Sequence, residues 1–279
     1  MRIKQNEELM LKIQYAARQK YNCAEIMCRL AFWLCLVPIL SLIPSPECFQ
    51  KAETIIVICL DLAIIILTIL YTRLVEDAAS FRSYFDFYVF GFSKTNDLQN
   101  KQIKEKAIQI FNKHIDRAAI QIANTGKDTP PGVRDWYTIP ESKNDSDTIY
   151  ICQSENAWWT SKMFIGKCIS LLLCWFLIIL IAVILKLINA VDWWDLFLAF
   201  VSITIKLLER IICVIRFLFA SIRLEGAINV LSTNRTKKQL SNLQNLIDHQ
   251  RRIPFLPSNR LHKTRAKELS ILYRESNIV

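Results

Sequence analysis

The chain has 279 residues, 52% of them hydrophobic, and its 35 Lys and Arg outnumber 25 Asp and Glu to give a net charge of +10. In a soluble protein that charge would suggest nucleic acid, but here the apolar residues gather into long runs, which points to a membrane and away from a DNA or RNA polymer. Nine cysteines without a C-x-x-C and three scattered histidines give no metal signature, and with five glycines there is no phosphate-cradling loop, G-x-S-x-G or H-E-x-x-H. The sequence therefore reads as a non-enzyme with no cofactor.

Residues 1–28 carry mixed charges and are expected to form a cytoplasmic amphipathic arm; no small-residue cleavage site follows the first apolar run, so this is not a cleavable signal. A helix needs about 20 apolar residues to cross about 30 Å of hydrocarbon. Residues 29–43, "RLAFWLCLVPILSLI", and 54–75, "TIIVICLDLAIIILTILYTRLV", approach that length and make residues 29–75 a first hairpin. The second span is expected to run on as a helix through "EDAASFRSYFDFYVFGF", ending near Gly91.

In the insert 76–162, Ile103, Ala107, Ile110, Phe111, Ile115, Ala118 and Ile122 recur at helical spacing and predict one amphipathic helix, stopped by Gly126. Pro130 and Pro131 keep the next residues extended, so "VRDWYT" is delivered as a loop. Polar "ESKNDSD" reads as a surface excursion, and a helix resumes at "ICQSENAWW". Residues 163–191 form the third span and 192–208 the fourth, giving a second hairpin over 163–208. The tail, 209–279, holds an amphipathic helix at "KKQLSNLQNLIDHQ", a break at "RRIPFLPSNR" and a short helical stretch at "KTRAKELSILY".

Only Lys51 and Lys186 lie in the links inside the two hairpins, so the positive-inside rule puts the arm, the insert and the tail in the cytoplasm. The fold class that follows is an all-α membrane protein: four transmembrane helices in two hairpins, plus a helical cytoplasmic domain formed by the middle insert and the C-terminal tail.

Two short motifs carry the chemistry. Tyr137, Trp136, Trp158 and Trp159 offer flat π surfaces, and base–aromatic stacking is worth about 1–3 kcal/mol. Asp135, Gln153 and Asn156 have the donors and acceptors to read base edges, and Arg134 can grip a phosphate bidentately. The competing reading makes Trp158 and Trp159 an interfacial belt beside the third span and Arg134–Asp135 a plain ion pair. Trp193 and Trp194 read as such a belt. Asp61, inside the second span, is a candidate for gating or inter-helix contact. Lys206, Glu209 and Arg210 form a charged belt that suits a gate or an interface anchor.

The two hairpins around an insert, with "RDWY" at 134–137 and "CQSEN" at 152–156 just before the third span, resemble the SMODS-associated four-transmembrane effector family of bacterial CBASS anti-phage systems. That resemblance implies a cyclic di- or trinucleotide made by a cognate nucleotidyltransferase, bound in the cytoplasm by an effector that then breaches the bacterial inner membrane as a homo-oligomer. From the residues alone, a membrane-anchored scaffold or an ion channel without nucleotide input stays open.

Overall fold

The computed structural model describes residues 1–42, 47–92, 97–139, 145–188, 192–231 and 235–256. Every regular element among them is helical. A short α1 (Arg2–Gln5) precedes α2 (Glu8–Leu34), a 3₁₀ turn (Val37–Leu42), α3 (Glu47–Phe90), α4 (Asp97–Asn112), α5 (Ile115–Ala123), α6 (Asp145–Leu187), α7 (Trp193–Val230) and α8 (Lys237–Arg251). Among the described residues three stretches are long and apolar enough to cross a membrane: Glu8–Ile39, Ile55–Phe90 and Asp145–Leu187. The expected fourth span, 192–208, occupies the first half of α7, whose middle carries Lys206, Glu209 and Arg210.

At 1.5 Å per residue, the 44 residues of α3 extend about 66 Å, far more than the roughly 30 Å of a hydrocarbon core. One helix therefore reaches from an apolar to a polar environment without a joint. Its apolar end leaves Ile55, Ile58, Leu62, Ile65, Ile66 and Ile69 exposed, and α6 does the same with Leu172, Leu173, Phe176 and Leu177. Apolar faces of that extent belong against lipid. The other end of α3 is buried from Phe81 to Phe87 in a core shared with α2, α4, Tyr137 and the start of α6.

The α2–α3 pair is antiparallel: Tyr88 donates to Glu7, Lys20 pairs with Asp77, and Ala24 packs with Tyr71 and Val75. Met10, Ala17, Ala24 and Ala31 recur every seven residues on the buried side of α2. The three alanines at that period let two helices approach closely. The first apolar run does not continue as one helix. α2 stops at Leu34 and a 3₁₀ turn follows around Pro38, which has no N–H to extend an α-helical ladder.

The helix expected over the insert is two. α4 ends at Asn112, and His114, at the N-terminal boundary of α5, leaves the helical conformation with a φ of −144°. The break keeps Phe111 and Ala118 together against Tyr15 of α2 and turns Ile115 outward, whereas a straight helix would have put Ile115 on the buried face. The first residues of α6, Asp145 to Asp147, are already helical; the rest of the polar excursion, 141–144, lies outside the described residues, as do 189–191 and the helical stretch expected at "KTRAKELSILY". α6 and α7 run antiparallel, with Tyr150 donating to Ile228 O and Phe164 stacked on Phe217 at 4.3 Å between ring centres. α8 opens with a capping box between Thr236 and Gln239 and lies across α3, α6 and α7.

Candidate functional site

The "RDWY" loop is built on the end of α5. Gly132 N, Val133 N and Arg134 N donate to Thr125 O, Gln121 O and Asn124 O, occupying carbonyls that the helix end leaves unpaired. Glycine is required at 132, where a Cβ would stand 1.8 Å from Asn124 O. Arg18 of α2 donates to Pro131 O and Gly132 O from the other side.

The N-terminus clamps the loop through two reciprocal pairs. Tyr137 N donates to Gln5 Oε1 at 3.0 Å while Gln5 Nε2 donates to Tyr137 O at 3.3 Å. Asp135 N donates to Asn6 Oδ1 at 3.1 Å, and Asn6 Nδ2 returns a bond to Asp135 Oδ1 at 2.7 Å. Asp135 thereby holds a φ of +49°, a left-handed backbone that Asp tolerates better than most residues. Neither Gln5 nor Asn6 stands out in the sequence; no periodic or compositional signal marks them.

Behind the loop sits a buried polar knot centred on Asp86 of α3, which is 1% exposed. Its Oδ1 accepts from Tyr137 Oη at 2.7 Å, and its Oδ2 accepts from Gln244 Nε2 at 2.9 Å and Arg251 NH1 at 2.6 Å. Asp248 of α8 accepts from Ser83, Gln244 and Arg251. Gln153 of α6 donates to Leu240 O and to Gln244 Oε1, both at 3.0 Å, and Asn156 Nδ2 approaches Tyr137 Oη at 3.5 Å. Four segments distant in sequence are thus joined by one network.

The electrostatics follow from burial. Loss of water raises the Tyr137 hydroxyl well above the ordinary tyrosine value, and the adjoining Asp86 carboxylate adds to it. Burial also raises Asp248, against the pull of Arg251. For Arg251 burial opposes the charge, but Asp86, Tyr137 and Asp248 more than offset it and raise its pKa.

The other residues singled out in the motifs face outward or half outward. Arg134, Asp135 and Trp136 are exposed, Trp136 at 42%. The Trp136 ring covers the guanidinium of Arg82, with 3.6 Å from Cζ to the ring centre. Trp158 and Trp159 meet edge to face and are half-buried, with Lys162 Nζ 5.8 Å over Trp158. The structure therefore brings Tyr137, Gln153 and Asn156 together through the knot and leaves Arg134 and Trp136 on the solvent side of the same loop.

Asp61, Lys206, Glu209 and Arg210 line the seam between α3 and α7. Ser202 donates to Asp61 Oδ1 at 2.7 Å; Lys206, 3% exposed, donates to Thr68 Oγ1 at 2.6 Å and Glu209 Oε2 at 2.5 Å. Arg210 lies over Tyr71 at 4.5 Å and donates to Pro254 O, which also accepts from Tyr71 Oη. The seam is polar within otherwise apolar helices, and the chain beyond α8 returns to close its lower end. Among the described residues no His, Cys, Asp and Glu gather into a metal-binding cluster.

No curated protein and no solved structure matches the chain. The model of the SMODS-associating 4TM effector domain does, over residues 1–268. That match takes in both helical pairs, the "RDWY" loop and all of α8, so the chain belongs to the SMODS-associating 4TM effector family and is a helical membrane effector of CBASS-type anti-phage defence, linked to a cyclic-nucleotide-producing system.

Proposed function

We propose that the chain receives a cyclic di- or trinucleotide, made by a cognate nucleotidyltransferase, at the "RDWY" loop, and that the occupied protein permeabilises the bacterial inner membrane as a homo-oligomer. Both termini and the loop lie on the cytoplasmic side in this reading. Trp136 and Arg134 meet the messenger from the solvent side; Trp158, Trp159 and Asn156 flank it; Asp135, Tyr137 and Gln153 hold the loop in place.

One observation carries the reading. The loop that presents Trp136 and Arg134 is tied through Tyr137 to Asp86, and Asp86 stands on the same unbroken helix as Asp61 and Thr68. A ligand shifts a membrane part only through unequal affinity for its two arrangements, and a rigid helix gripped at both ends supports that coupling. The polar seam of Asp61–Ser202 and Thr68–Lys206–Glu209 is the element it would bias, because polar side chains inside a membrane are costly and re-pair rather than remain free.

Calorimetry of the detergent-purified protein against a panel of cyclic di- and trinucleotides tests the proposal. A panel member is expected to bind, and Arg134→Ala or Trp136→Ala is expected to weaken it by roughly one to two orders of magnitude. Undiminished binding by both variants removes the loop from the site.

A further inference from the structure

We infer that Arg82 is the cation that receives a phosphodiester of the messenger, and that Trp136 is the lid lying over it. The inference rests on the messenger reading above and names a residue that the two sequence motifs do not contain.

Arg82 stands on α3, four residues before Asp86, and is 9% exposed. Among the described residues its buried NH1 has no hydrogen-bond partner. Asp86 lies close enough to attract it, but among the described residues no carboxylate of the knot hydrogen-bonds it. Asp86 accepts from Tyr137, Gln244 and Arg251; Asp248 accepts from Ser83, Gln244 and Arg251. Of these two arginines, Arg251 forms ion pairs with both carboxylates, whereas among the described residues Arg82 forms none and lies against the face of the Trp136 indole.

A guanidinium removed from water is stable only when anions or acceptors replace its hydration, and a π face replaces little of it. A buried cation with an N–H that no described residue accepts is therefore a candidate for a site completed by an incoming anion. The lid adds the second half of the chemistry. Trp136 is half in solvent, on a loop whose neighbours Asp135 and Tyr137 are pinned by Asn6 and Gln5, so the indole can swing while its backbone stays. A ligand that carries an anion and a flat ring together satisfies both: the phosphate takes NH1 of Arg82, and a base takes the indole face that Arg82 gives up. A phosphate on a lipid headgroup offers the anion without the ring.

The probes are pyrophosphate, the cyclic di- and trinucleotide panel, and phosphatidylglycerol in mixed micelles, each added to protein in neutral detergent. The readout is tryptophan emission, with Trp136→Phe isolating the signal of the lid. A cyclic nucleotide is expected to change wild-type emission, the change is expected to be clearly smaller in Trp136→Phe, where Trp158 and Trp159 still report, and Arg82→Gln is expected to lose at least tenfold in affinity. Arg82→Lys keeps the charge but not the planar fork; it is expected to melt as the wild type does and to bind at least threefold more weakly. It carries the test if Arg82→Gln fails to fold.

Wild-type affinity in both Arg82 variants, alongside weakened binding in Arg134→Ala, overturns the inference and leaves the messenger reading standing. Arg82-dependent binding of pyrophosphate with no response to any cyclic nucleotide keeps the anion site and sinks the messenger. Arg82-dependent quenching by phosphatidylglycerol alone assigns the site to lipid and overturns the inference as stated.

Discussion

Tyr137 Oη donates to Asp86 Oδ1 across 2.7 Å, joining the exposed loop to the interior of α3 through a single buried hydrogen bond. Tyr137→Phe keeps the ring packed on Phe85 and Phe90 and removes that bond together with the longer one from Asn156 Nδ2. A net loss of about 1 kcal/mol is expected, a drop of about 2–4 °C in Tm for a chain of this size. Differential scanning fluorimetry checks it; an unchanged Tm would mean the bond contributes nothing net.

Arg251→Ala is expected to cost far more. It leaves Asp86 and Asp248 buried without their shared cation, and breaking a buried pair from one side typically costs about 3–5 kcal/mol. The double change Arg251→Met with Asp86→Asn is expected to recover much of that. Thermal melts of the three proteins decide it: a single variant as stable as wild type would show the charges are not confined.

The raised pKa of Asp248 fixes the sign of a pH effect. A group whose proton is held more tightly in the folded protein contributes stability that is complete below its unfolded value, about 3.9, and that declines as pH rises toward the folded value. Asp248→Asn lacks this contribution. The Tm of the variant minus that of wild type is therefore expected to rise as pH is increased from about 4, then level off. A difference that stays flat or falls contradicts the burial assigned to this carboxyl.

Gln5→Ala removes both partners of the Tyr137 backbone at once. The expected result is faster amide exchange at Tyr137 and Asp135 with little change at the far end of α6, read by hydrogen exchange and mass spectrometry. Equal protection in the variant would show that α1 is not what holds the loop.

Asp61→Asn keeps an acceptor for Ser202 while removing a charge from the α3–α7 seam. Under the proposed function, messenger binding is expected to persist while dye release from reconstituted liposomes changes. Release indistinguishable from wild type excludes Asp61 from the permeation step.

The helices were legible wherever the period of the residues decides the outcome. Ile103, Ala107, Phe111 and Ala118 are buried as their spacing predicts, and the apolar faces of α3 and α6 follow from composition. Trp136 and Tyr137 were legible as a pair but not in their opposite fates, since one side chain faces solvent and the next enters the core. That split depends on Gln5 and Asn6, 129 to 132 residues away in sequence, whose types carry no special propensity. The knot was hidden for the same reason: Asp86 meets Gln244 and Arg251 at separations of 158 and 165 residues, and no local pattern specifies such pairs. A trace was present all the same. Arg82 and Asp86 stand four apart in "SFRSYFDFYVFGF", on a helix too aromatic to be solvated, and charges there require partners.

The separation of Asp86 from Arg251 also bears on biogenesis. Synthesis proceeds from the N-terminus, so the acid emerges, and α3 is sorted between lipid and water, long before its guanidinium exists. A nascent chain halted anywhere before α8 carries this carboxylate without its Arg251 and Gln244 partners, which makes completion of α8 the step that locks the earlier helices and gives quality-control proteases a reason to recognise such shorter products.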